Sequence, residues 1–129
     1  MPRKPNTPRR LTADGTRYLW TLRHRHRPEG CEERLTLHPQ PAGESGLLRI
    51  VFADGPDRYV PGGAPLGSGD VGYVRGAGLN LHEPGAVRAL LDAALAGGWA
   101  PGGPAVELDG WSLLEEAARA GQGLTKPSW

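Results

Sequence analysis

The stretch from Tyr18 to Arg27, YLWTLRHRHR, sets three arginines and two histidines behind two aromatic residues. Side chains on a strand alternate between faces, so Arg23, Arg25 and Arg27 would project from one face at intervals of about 7 Å. That spacing suits contacts with a phosphate backbone. A basic segment before it (Arg3, Lys4, Arg9 and Arg10) would add further phosphate contacts, and binding would then fall steeply with salt. The same alternation puts His24 and His26 together on the opposite face. Two neighbouring imidazoles can chelate a metal ion, with His38, His82 or Cys31 as a third ligand. No C-x-x-C or H-E-x-x-H spacing accompanies them. The simplest reading of the run is a β-strand with its aromatics in the core and its arginines in water.

Nothing else in the chain assembles a reactive set. None of Ser45, Ser68, Ser112 and Ser128 lies in G-x-S-x-G. Cys31 sits beside Glu32 and Glu33, and neighbouring carboxylates oppose a thiolate. GGAPLGSG is glycine-rich, but it lacks the Lys-Ser/Thr ending and the following helix of a phosphate loop. Glu32/Glu33 and Glu115/Glu116 are adjacent in sequence, so on a strand each pair would face opposite ways. No catalytic residue and no cofactor is expected.

The elements that must position the basic run follow from hydrophobic periodicity. Three prolines and four basic residues in the first ten predict a flexible basic arm over residues 1–12. Asp14-Gly15 marks a turn. Tyr18, Trp20 and Leu22 alternate as the inner face of a strand. A second strand is expected near Glu33–His38, with Leu35 and Leu37 inward. GLLRIVFA, residues 46–53, is the most apolar run and reads as a central strand carrying Leu48 and Ile50 into the core. These three strands form an antiparallel meander.

Residues 54–80 hold eight glycines and three prolines. They read as a long loop with short strands at Arg58–Val60 and Val71–Val74. Pro84 then opens a helix. Val87, Leu90, Leu91 and Leu95 repeat at helical spacing, and Gly97-Gly98 stops it. Trp99 should fold back onto the core. Val106–Leu108 reads as a short strand. Ser112-x-x-Glu115 has the form of a capping box and predicts a short second helix. Trp111 would staple that helix to the sheet. Gly121 should end it, leaving residues 122–129 as a frayed tail and 13–121 as one domain. The fold class is therefore α+β: an antiparallel sheet of three to five strands on one amphipathic helix, plus a short C-terminal helix.

Net charge is +1, yet residues 1–27 carry eight basic groups against one acid, and the remainder seven against thirteen. Such asymmetry marks chains that contact nucleic acid or acidic surfaces. No apolar run reaches the roughly 20 residues of a membrane span. The basic N-terminus has no apolar stretch behind it, so it does not read as a secretory signal. A lone cysteine excludes an intrachain disulfide. The expected setting is the cytoplasm, with no membrane contact.

Gly15, Tyr18 and Trp20 form G-x-x-Y-x-W, and Ala94 to Pro101 read A-L-x-x-G-W-x-P. Together with VRALLDAALAGGWAP, from Val87 to Pro101, these pieces resemble a loose group of small uncharacterised proteins from high-GC bacteria. The resemblance covers about a third of the chain and implies an antiparallel sheet packed on a helix. It carries over no catalytic residue. The functional expectation is a protein-interaction module, an accessory, adaptor or immunity-like protein. The alternative is non-specific nucleic-acid binding through the basic arm and strand.

Overall fold

A computed structural model describes residues 8–28, 30–40, 46–55, 58–60, 70–73 and 78–125. The chain is α+β. Its main sheet has five strands in the order β1 (Arg9–Ala13), β2 (Thr16–Arg27), β3 (Gly30–Pro39), β4 (Leu48–Ala53) and β8 (Val106–Asp109). A second sheet joins β5 (Arg58–Tyr59), β6 (Asp70–Tyr73) and β7 (Gly78–Asn80). Helix α1 spans Pro84–Ala96 and helix α2 spans Gly110–Thr125. Among the described residues, no helix is long and apolar enough to cross a membrane.

Register explains the core. Trp20 lies opposite Leu37, and Leu37 opposite Leu48; Leu35 lies opposite Ile50. All five side chains are buried, with Tyr18 beside them. Each such aliphatic side chain removed from water stabilises the fold by about 1.5–3 kcal/mol. From α1, Val87, Leu90 and Leu91 close over this face, while Leu22 and Leu95 are half-buried at its margin. Gly97 and Gly98 end α1, Gly98 with a φ of 111°. The chain then turns Trp99 back to within 6.4 Å of the Tyr18 ring.

Four expectations need correction. First, residues 9–12 are not part of a flexible arm. Asp14 and Gly15 both have positive φ, 53° and 82°, the backbone of a two-residue type I′ hairpin turn. The turn folds Arg9–Ala13 back along β2, with Ala13 opposite Thr16. Residues 1–7, with Arg3 and Lys4, lie outside the described residues. Second, the expected antiparallel sheet is present in β1 to β4, and only β8 departs from it, running parallel to β4. The connection between them carries the second sheet and α1, neither of which a hairpin could accommodate.

Third, α2 begins at Gly110, not at Ser112. The Asp109 carboxylate accepts the Trp111 backbone N–H at 3.2 Å, as an N-cap side chain does. The Ser112 hydroxyl instead donates to the Asp109 carbonyl at 2.7 Å. This start lets the Trp111 indole donate to the Ala53 carbonyl at 2.8 Å and stand edge-on to Phe52. Fourth, α2 runs through Gly121 to Thr125, so residues 122–125 are helical. A glycine weakens a helix by about 1 kcal/mol without forbidding it. Residues 126–129 of the expected tail lie outside the described residues.

Candidate functional site

Both helices pack on the inner face of the main sheet. Its outer face is built by the alternate residues. Strand β1 contributes Arg10 and Thr12, and β2 contributes Arg17, Leu19, Thr21, Arg23 and Arg25. From β3 come His38, Thr36, Arg34 and Glu32, from β4 Arg49, Val51 and Ala53, and from β8 Glu107 and Asp109. Arg10, Arg17, Arg23 and Arg25 are exposed, and Arg34, His38 and Arg49 are half-buried. Arginines therefore dominate this face, and its carboxylates lie toward its margins.

The centre of the face is a shallow hollow of about 260 Å³ lined by Thr21, Arg23, Arg34, Thr36, His38 and Arg49. Thr36 is its floor and is only 9% exposed. Thr21 lies across the sheet on one side of Thr36 and Arg49 on the other. Arg34 and His38 flank it along β3. Arg23 stands directly opposite Arg34, an arrangement in which like charges repel.

Carboxylates only partly offset these charges. Glu32 lies 3.5 Å from Arg34 Nε, and Glu107 lies 3.8 Å from Arg49. Both separations exceed the 2.7–2.9 Å typical of a direct charge-assisted hydrogen bond. Arg34 Nε is buried and makes no hydrogen bond among the described residues. Farther along β2, a second hollow of about 560 Å³ includes Arg10, Thr12, Arg17 and Gln40. The basic surface thus continues to the β1 edge.

The structure divides the candidate nucleic-acid residues. Arg23 and Arg25 share the outer face, as their spacing implied. Arg10 joins them from β1 rather than from an arm. Arg9 does not join them: its guanidinium lies 4.8 Å from the centre of the Trp20 ring and donates to the His82 carbonyl at 2.8 Å. Position 9 pairs with Trp20 on the inner face, so Arg9 clamps β1 to the turn before α1. The Arg27 and His26 side chains lie outside the description.

His24, His38 and His82 lie in three different places. On the inner face the His24 imidazole pairs through Nδ1 with the Glu33 carboxylate. Glu33 is buried, and burial pushes its pKa above the ordinary carboxylate value, although His24 pulls it back. Cys31 lies opposite His26, but His38 belongs to the outer face and His82 to the turn before α1. Among the described residues, no three His, Cys, Asp or Glu side chains are grouped as metal ligands.

Sequence reasoning missed Arg34, Thr36 and Arg49, and offered His38 only as a metal ligand. The signal was present. Applying the two-residue period to the strands carrying Leu35/Leu37 and Leu48/Ile50 puts these residues on the face of Arg23. The arrangement can neutralise a compact anion or steer an acidic surface. Compared with protein-family models, with curated proteins and with solved structures, the chain matches none.

Proposed function

We propose that the chain is a protein-interaction module that receives an acidic protein surface on the outer face of its main sheet. The observation that carries this reading is the concentration of Arg10, Arg17, Arg23, Arg34 and Arg49 on the one sheet face that the helices leave open. Five strands about 4.8 Å apart make a face roughly 24 Å wide. With a length of about 20 Å it offers on the order of 500 Å², below the ~800 Å² per partner of a standard interface. Such a contact is transient and depends on charge for its on-rate.

Nucleic acid is the second reading. It is supported by Arg23 and Arg25 projecting from the same face as Arg34 and Arg49. One experiment separates the two. The tagged chain is used to capture partners from lysate of its own host, with and without nuclease, beside an R10E/R17E variant. The proposed function expects a stoichiometric protein that survives nuclease and is lost from the variant. Capture unchanged by the charge reversal would refute it. Loss of every co-purifying protein on nuclease treatment would favour nucleic acid instead.

A further inference from the structure

We propose that the hollow around Thr36 binds a single phosphoryl group as a phosphomonoester dianion. This proposal rests on the outer face being the contact surface and names the chemical group it recognises. The donors surround one point. Thr36 forms the floor, Thr21 and Arg49 lie across the sheet on its two sides, Arg34 and His38 flank it along β3, and Arg23 faces Arg34. Guanidinium forks match phosphate oxygens in pairs, and threonine hydroxyls supply short neutral donors.

Size favours a group over a whole ligand. The hollow, about 260 Å³, falls below the roughly 300–1,000 Å³ of sites that enclose complete small molecules. Charge points the same way. Arg23 opposite Arg34 destabilises the empty sheet, and a dianion between them removes that repulsion. Arg34 keeps its Nε toward Glu32 at 3.5 Å, which leaves the terminal nitrogens as the donors to the hollow.

Flanking acids favour a monoester over a nucleic-acid backbone. Glu32 lies beyond Arg34 on β3, and Glu107 beyond Arg49 on β8. A phosphodiester chain leaving the hollow past Arg34 or across Arg49 would meet a carboxylate, which leaves only the exit toward Arg17 and Arg10. A terminal phosphate, attached at one oxygen only, need not meet either.

The test is calorimetric titration of the full chain at constant ionic strength. The probes are inorganic phosphate, a serine peptide with and without phosphorylation, and an oligonucleotide lacking a terminal phosphate. Wild type should bind phosphate and the phosphopeptide saturably and ignore the unmodified peptide. R34Q and R49Q should each weaken phosphate binding about tenfold. T36V, which keeps the strand and removes only the hydroxyl, should weaken it while leaving the circular dichroism spectrum unchanged. Binding of phosphate but not of the phosphopeptide would confine the site to free phosphate or small phosphorylated molecules. The proposal is overturned if wild type shows no saturable phosphate binding, if the three variants bind as wild type does, or if the oligonucleotide binds equally well through these residues. R10E/R17E leaves the hollow intact. Lost partner capture in that variant, with no phosphate binding by wild type, would reject the hollow and keep the interaction module.

Discussion

Replacing Arg23 with glutamine should make the protein more stable. Arg23 stands directly across the β2–β3 pair from Arg34. Directly opposed side chains have β-carbons about 5 Å apart, which places the two guanidinium charges roughly 7 Å apart. Two like charges at that distance repel by about 0.6 kcal/mol at the dielectric constant of water and about 1.2 kcal/mol at half that value. Glu32, 3.5 Å from Arg34 Nε, cancels part of this. The expected net gain for R23Q is therefore about 0.3–0.8 kcal/mol, or roughly 1–4 °C in melting temperature. The assay is thermal unfolding of wild type, R23Q and R23K at low salt and at 1 M NaCl. R23K keeps the charge and should gain nothing. At 1 M salt the screening length is about 3 Å, so the R23Q gain should disappear. A variant that melts at or below wild type at low salt, or a gain that persists at high salt, would refute the repulsion. A confirmed gain would mean that the face carries a charge arrangement costly to the fold.

Three further predictions concern the opposite side of the sheet. A β-carbon added at Gly110 would sit 2.6 Å from the buried Phe52 ring. G110A should therefore lose about 1–3 kcal/mol in denaturant melts, and part of that loss should return in the G110A/F52L double variant; simple additivity would show that the clash is not the cause. Burial raises the Glu33 pKa, so its stabilising contribution is full below about pH 4.5 and is lost as pH climbs through the raised value. E33Q cannot ionise and should gain stability relative to wild type as pH rises above about 4.5, whereas a difference in urea midpoints that does not change with pH would contradict the assignment. W111F removes the indole donor to the Ala53 carbonyl and should cost about 0.5–1.5 kcal/mol; an unchanged midpoint would show that this contact does not hold α2 to the sheet.

Much of the fold was legible because its signals are local. Tyr18, Trp20 and Leu22 recur at every second position, and Val87, Leu90 and Leu91 repeat at helical spacing, so β2 and α1 follow from short windows. β1 was hidden because Arg9 and Arg10 look solvated. Its inward residues are Arg9, Leu11 and Ala13, and Arg9 becomes an inward residue only when the Trp20 ring lies beneath it. The start of α2 was misplaced because Ser112-x-x-Glu115 satisfies a local capping pattern, while the contact from Trp111 to Ala53 joins residues far apart in sequence. For the basic hollow, the two-residue period shows which residues share a face, but their grouping was hidden for the same reason. Arg23, Arg34 and Arg49 belong to three different strands, and only the antiparallel register brings them around Thr36.

The parallel pairing of β4 with β8 also governs the order in which the molecule can form. Strands β1 to β4 are neighbours in both sequence and space, so the meander can close through short loops. β8 cannot join until the whole segment between Ala53 and Val106 has been made. Closing so long a loop costs entropy before any contact repays it, and non-local pairing of this kind is slow. During synthesis the inner face of the meander, with Trp20, Leu35, Leu37 and Ile50, emerges before α1, β8 and α2. The nascent chain therefore presents an uncovered apolar sheet, and its protection in that interval falls to whatever meets the chain as it leaves the ribosome.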